Sequence, residues 1–165
     1  FYPLINAAGA AAITMEFGKQ KVEPYIVERI TNQRHQNIYE HEAPTAGERI
    51  YKKSAAQGTV EAMQAVTRYG TVDGIFNLPN GPLSLGAKTG TSTNKVDLNM
   101  IATACDEVYG SRQVAMWYGN PSGSKRITGL EHSNQLGYPV NTYFQKTMTS
   151  GKACDISKKS YMPAK

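Results

Sequence analysis

The 165 residues carry 18 Lys and Arg against 13 Asp and Glu, a formal charge of +5, and are 40% hydrophobic, which fits one domain or part of one. No apolar run approaches the ~20 residues of a membrane-spanning helix. The basic residues are scattered, and the densest stretch, Lys152–Lys165, reads as a solvated tail with no nucleic-acid-reading motif beside it.

The chain opens Phe1-Tyr2-Pro3-Leu4, without an initiating Met, a basic leader or a cleavage site. It reads as a chain that begins mid-protein. Leu4, Ala8, Ala11, Ala12 and Met15 follow helical spacing. They predict a helix over Leu4–Phe17, with Gly18 as its stop and small side chains suited to close packing. Lys21–Ile30 is rich in β-formers and predicts a strand, which Pro24 restricts to an edge. Thr31–Gly47 is polar and turn-rich, a loop or a poor hairpin.

Ser54–Tyr69 is the clearest helix. Ala56, Val60, Met63, Ala65, Val66 and Tyr69 make its apolar face, and Gly70 closes it. Thr71–Leu85 is punctuated by Gly and Pro and predicts a loop. Three strands follow: Leu85–Ser92, the almost wholly apolar Leu98–Cys105, and the alternating Gln113–Gly119. Their short links make them antiparallel, with Asp106–Ser111 as a hairpin turn. Pro121–Leu136 is irregular, and Pro139 begins a last helix that Gly151 ends, with Val140, Tyr143, Phe144, Thr147 and Met148 on one face. Helices before and after the strands predict layers packed on a sheet, an α+β architecture.

The histidines His35, His41 and His132 form no metal constellation, and no metal or organic cofactor is expected. Cys105 and Cys154 have no ligand spacing. Cys105 lies in an apolar run and reads as a small core residue. Nothing in the pattern supports a structural disulfide, though nothing forbids one.

The stretch GPLSLGAKTGTS at 81–92 looks at first like a phosphate loop. That motif needs Gly, four residues, then Gly-Lys-Ser/Thr in succession. Here Ala87 separates Gly86 from Lys88. The extra residue turns the Lys away from the nest of N–H groups that would cradle phosphate. Thr91–Asp97 is also polar where the loop requires the first turn of an amphipathic helix. The alternative is one wall of a serine acyl-transfer site, built on Lys88-Thr89-Gly90-Thr91-Ser92.

The surroundings of that pentapeptide favour this second reading. A helix ends in Gly, an extended VEPYIVERI follows, then a helix ending VTRYGTV, the Lys-Thr-Gly-Thr-Ser strand, and a hairpin ending VAMWYGN. In this order the chain resembles the penicillin-binding proteins. It is most similar to the C-terminal half of the transpeptidase domain of the bifunctional, high-molecular-mass type. In those proteins Lys-Thr-Gly opens the third strand of a five-stranded antiparallel sheet with helices on both faces. The resemblance implies that residues 1–165 are the C-terminal portion of one such domain, contributing three strands. Two positions depart from the family: Gly86-Ala87 stands where Ala-Gly is usual, and 100–105 lacks the usual aromatic, glycine-ended pattern.

The chemistry of the pentapeptide agrees with the roles the resemblance implies. Lys88 and the hydroxyls of Thr89 and Thr91 offer charge-assisted bonds to a carboxylate, with Ser92 bordering that subsite. Gly90 lets a substrate backbone lie close. The Thr91 N–H is one of two expected oxyanion donors. The resemblance implies that the carboxylate is that of a peptidoglycan stem peptide or of a β-lactam.

The family's nucleophile lies on Ser-x-x-Lys, followed by Ser-x-Asn, and both precede Lys-Thr-Gly. Here Ser92–Lys95 and Ser122–Lys125 match the first string and Ser92-Thr93-Asn94 the second, but all sit at or after Lys-Thr-Gly in turn-rich stretches. A nucleophilic Ser needs its base held on the next helical turn, so neither is expected to act. The resemblance then implies a part of a D,D-transpeptidase, a serine acyltransferase and antibiotic target of cell-wall synthesis at the extracytoplasmic face of a bacterial membrane. Its partners are stem peptide, β-lactam and the nucleophile-bearing part of the same domain, on this or a separate chain. The alternative is a degenerate or truncated module that binds peptide or a partner without acylation. A penicillin-hydrolysing or sensor relative is disfavoured by the long polar Thr31–Gly47.

Overall fold

The computed structural model describes residues 2–14, 17–18, 24–42, 49–78, 84–108, 110–123, 125–148, 150–152 and 154–157. In chain order they form helix α1 (Tyr2–Thr14), a hairpin of β1 (Arg29–Thr31) and β2 (Asn37–Glu40), helix α2 (Lys53–Tyr69), strands β3 (Leu85–Thr91), β4 (Asp97–Asp106) and β5 (Gly110–Gly119), and helix α3 (Gly137–Thr147). Single 3₁₀ turns at Thr93–Lys95 and Ser133–Leu136 precede β4 and α3.

The main sheet has the order β3-β4-β5, antiparallel throughout. Alternation divides its side chains between two layers. Leu85 and Ala87 of β3 and Leu98, Met100, Ala102 and Ala104 of β4 face one way, into a core with Leu136, Val140, Phe144 and Met148. The opposite face carries α1 and α2, with a second, smaller core of Phe17, Ala56, Val60, Cys105, Cys154 and Ile156. β4 is the central strand, so its N-terminal half is buried on one face and its last five residues on both, as its apolar run predicts.

Helix α2 begins one residue earlier than predicted, and its buried face is rotated. Ala56, Val60 and Met63 are buried as expected, but Gln64 and Thr67 join them while Ala65 and Tyr69 are exposed. Hydrogen bonds explain the polar burial. Gln64 Nε2 donates to Asp155 Oδ1 at 3.0 Å, and the Thr67 hydroxyl lies 2.8 Å from Gln64 O and 3.3 Å from Leu85 O. A satisfied polar group costs little to bury. Gly70 does cap the helix, but in an extended conformation (φ −110°) rather than a left-handed one. A Cβ there would sit 2.8 Å from Val66 Cα, which leaves room only for glycine.

Four other expectations need correction. Helix α1 is described to Thr14 and does not include Phe17, which has φ 49°, followed by Gly18 at φ 80°. Met15 of its predicted face, and the side chain of Leu4, lie outside the described residues. Among the described residues the strand predicted over Lys21–Ile30 is confined to β1; residues 24–28 join no strand, although Glu28 O accepts the His41 N–H at 2.8 Å, 21–23 lie outside the described residues, and Thr31–Gly47 supplies β2 as a short hairpin partner. Strands β4 and β5 run further into their turn than Asp106–Ser111 allowed. Helix α3 starts at Gly137, two residues before Pro139, continuing directly from a 3₁₀ turn. Beyond these four, the disulfide that the sequence leaves open is present: Cys105 and Cys154 are joined, with Cα atoms 5.5 Å apart. It ties the end of β4 to the C-terminal segment, a proximity that only the fold creates.

Gly86 is a point of close approach between α2 and β3. A Cβ there would meet Met63 Cβ at 3.0 Å and Ile156 Cδ1 at 3.1 Å. The order Gly86-Ala87 is thereby explained: glycine faces the helix, and Ala87 fills the opposite core with no exposed surface. Gly86→Val should overpack this contact and lower stability by about 1–3 kcal/mol. The check is the urea midpoint of the variant; one matching the parent would mean that α2 does not lie this close to β3.

Candidate functional site

Strand β3 is an outer strand of its sheet, and among the described residues no strand pairs with its far edge. The direction of its backbone groups follows from three hydrogen bonds. Ser92 N–H donates across the sheet to Asp97 O at 2.9 Å. Leu85 O faces the Thr67 hydroxyl of α2, and Thr89 O accepts from Lys88 Nζ at 2.6 Å, both away from β4. Backbone groups in an antiparallel strand alternate between the two sides. Even-numbered residues of β3 therefore address β4, and the N–H groups of Thr89 and Thr91 point off the free edge.

The side chains divide differently. Lys88 and Gly90 belong to the α1–α2 face, paired with Ile101 and Asn99 of β4. The Lys88 stem lines an apolar groove of about 550 Å³ with Ile5 and Ile13 of α1 and Met63 and Val66 of α2, while its amine reaches the edge at Thr89 O. A long cationic stem covering apolar surface with its head kept outside is the usual compromise. Thr89 and Thr91 lie on the α3 face. The Thr89 hydroxyl is 3.0 Å from that of Thr71, just past α2. Thr91 Oγ1 donates to Ser133 Oγ at 3.1 Å, in the 3₁₀ turn before α3.

Lys88 and the two threonines thus stand on opposite faces of the sheet. The edge of β3 is the place where both sets of groups come within reach of one ligand. Gly90 adds space at that edge: a Cβ there would have only Asn99 Cβ nearby, at an ordinary 3.6 Å. No packing among the described residues requires a glycine at this position. Ser92 is half-buried; its hydroxyl accepts the Asp97 N–H at 2.8 Å and closes the turn into β4.

Neither later Ser-x-x-Lys string pairs a hydroxyl with an amine. The Lys95 amine is 3.1 Å from Glu131 Oε2, and Lys95 itself has a left-handed backbone, φ 52°. The Lys95 hydrogen bond and charge, with Arg126 adding to them, hold the exposed Glu131 carboxyl below its ordinary range. Ser122 donates to Asn120 Oδ1 at 2.7 Å in an exposed turn. Both stretches are the loops the sequence predicts.

No family model and no curated protein matches the sequence. Among solved structures, the chain is similar to the crystal structure of penicillin-binding protein 1A from Haemophilus influenzae, with a TM-score of 0.64 over 99% of this chain at 17% identity. The chain has a penicillin-binding-protein-like α+β fold. It spans 28% of the length of that protein.

Within this penicillin-binding-protein-like fold the flanking motifs lie close to the pentapeptide strand. Thr71, the partner of Thr89, belongs to the Tyr69-Gly70-Thr71 loop, and Trp117 and Asn120, at the end of β5, bond Asp97 and Val96 at the start of β4. The sequence singles out both stretches by resemblance, without giving either a role. Ser133, the partner of Thr91, carries no sequence signal, because a lone Ser in an irregular segment is indistinguishable from a surface residue.

Proposed function

We propose that this chain supplies one wall of the acyl-transfer site of a peptidoglycan D,D-transpeptidase, as the C-terminal portion of a single transpeptidase domain. The observation that carries this reading is the free edge of β3. It presents the outward N–H of Thr91 between the Lys88 amine on one side and the Thr89 and Thr91 hydroxyls on the other. A peptide or β-lactam lying along that edge has its carboxylate held by Lys88, Thr89 and Thr91. Its scissile carbonyl then points at the Thr91 N–H, one of two oxyanion donors. The similarity to penicillin-binding protein 1A supports the reading at the level of fold.

The nucleophilic Ser and its Lys come from another part of the domain, on this or a separate chain. The apolar groove beside the Lys88 stem suits a helix of that part, which would bring the nucleophile to the edge of β3 and cover Ile5, Met63 and Ile101. The site works at the extracytoplasmic face of a bacterial membrane, where its substrate is found.

The test is acylation by a fluorescent penicillin. This chain alone should form no covalent adduct, since the only Ser-x-x-Lys serines lie in turns with their amines engaged or remote. Mixed with a segment carrying Ser-x-x-Lys and Ser-x-Asn, it should support acylation of that segment's serine. A stoichiometric adduct on Ser92 or Ser122 would overturn the assignment of the nucleophile. If the mixture forms no adduct while both parts are folded and bound to each other, the chain is a non-catalytic module.

A further inference from the structure

Beyond the free edge of β3, the same face of the sheet ends in a cleft of about 510 Å³, within the roughly 300–1,000 Å³ usual for small-ligand sites. It is lined by Pro3 of α1, Ser92, Asp97, Asn99, Trp117 and Asn120. Asp97 faces Gly119 and Asn99 faces Trp117 across β4 and β5, so the four positions form one compact square. Trp117 is 36% exposed, high for so large an apolar ring.

The indole is held in place by construction. Its Nε1–H donates to Asp97 Oδ1 at 2.9 Å. A side chain at position 119 would collide with that carboxylate and would lie 2.7 Å from the indole Cζ2. Glycine at 119 is what allows the ring to lie where it does. The remaining polar atoms point to the ligand. Among the described residues nothing bonds the second oxygen of Asp97 or the amide of Asn99. Asn120 Oδ1 is already used, accepting the Ser122 N–H at 3.0 Å and the Ser122 hydroxyl at 2.7 Å. Because a backbone N–H only donates, this fixes the amide orientation, and Asn120 offers its NH₂ donors to the cleft.

We propose that this cleft binds a neutral pyranose sugar. An exposed, immobilised aromatic face attracts the C–H-bearing face of a sugar ring through its negative quadrupole. The hydroxyls of such a ring both donate and accept, so they can use the Asp97 acceptor, the Asn120 donor and both ends of Asn99. An anion is repelled by Asp97. An alkylammonium only donates, and the Asn120 NH₂ then has nothing to bond. The site does not rest on the acyl-transfer reading; it stands on Trp117, Asp97 and the two amides alone.

Trp117 is the chain's single tryptophan, so its emission reports this cleft and nothing else. Chitotetraose, cellotetraose and 1,5-diaminopentane are each titrated to about 10 mM, enough to detect a millimolar site. Calorimetry repeats each titration so that a silent fluorophore is not read as absent binding. We expect a saturable response to at least one oligosaccharide and none to the diamine. Asn120→Asp keeps the acceptor for Ser122 and replaces the NH₂ donor by an acceptor. It should weaken the sugar about tenfold, in line with loss of one hydrogen bond, and Asn99→Ala should do the same. If neither oligosaccharide binds, or only the diamine does, the proposal is wrong. It is equally wrong if both variants bind sugar like the parent.

Discussion

Cys154→Ala should lower the stability of this chain by about 4 kcal/mol, the value that chain-entropy reasoning gives for a closed loop between the roughly 15- and 100-residue cases. The bridge separates its ends by 49 residues. Both sulfurs lie in the smaller core, where Cys105 is fully buried and Cys154 is 3% exposed, so lost packing adds to the lost constraint. The consequence extends to the candidate site. Asp155 and Ile156, which follow the bridge, bond Gln64 of α2 and touch the space at Gly86. Cutting the bridge should therefore loosen α2 against β3, two residues from Lys88. Urea unfolding under non-reducing conditions measures the effect. Reduction of the parent chain should bring it to the same midpoint as Cys154→Ala. A loss below about 1 kcal/mol in both would mean that the C-terminal segment does not close on β4.

The elements whose burial depends on local pattern were legible in the sequence. The alternating and apolar runs of β4 and β5, the spacing of Ala56, Val60 and Met63, and the short links that force antiparallel pairing all carry their own signals. What escaped depends on contacts between distant segments. Gln64 and Thr67 are buried because Asp155 and Leu85 satisfy them, and no window around α2 contains either partner. The disulfide joins residues with no characteristic spacing. Lys21–Ile30 has the composition of a strand, yet among its described residues only Arg29 and Ile30 enter a strand ladder; β-propensity describes a fit to neighbours that must first exist. The pentapeptide at 88–92 was legible as a chemical group. Its division between two faces follows from strand alternation alone; what the pattern leaves open is that β3 is an outer strand, whose unpaired edge brings both sets of groups within reach of one ligand. The platform of Trp117, Asp97 and Gly119 needs the exact register of β4 on β5, which sequence spacing leaves open.

Lys88→Ala, in this chain combined with the nucleophile-bearing part, should slow acylation by penicillin about ten- to a hundredfold. Loss of a charge-assisted contact is worth about 1.5–3 kcal/mol, and each 1.36 kcal/mol is tenfold in rate, by about that measure. Stability should scarcely change, since Lys88 is exposed and, among the described residues, its amine bonds only the neighbouring carbonyl. Thr91→Val separates the two functions assigned to Thr91. It removes the hydroxyl, leaving Ser133 Oγ without the donor it has at 3.1 Å, but keeps the N–H that points off the edge. Substrate affinity should fall while the limiting acylation rate at saturation survives, and the melt should drop by the equivalent of about 0.5–1.5 kcal/mol for one hydrogen bond. Acylation rates across a range of penicillin concentrations, with urea unfolding of each variant, distinguish these outcomes. If Lys88→Ala acylates like the parent, or slows only in step with lost folding, the edge of β3 is structural and the acyl-transfer reading fails.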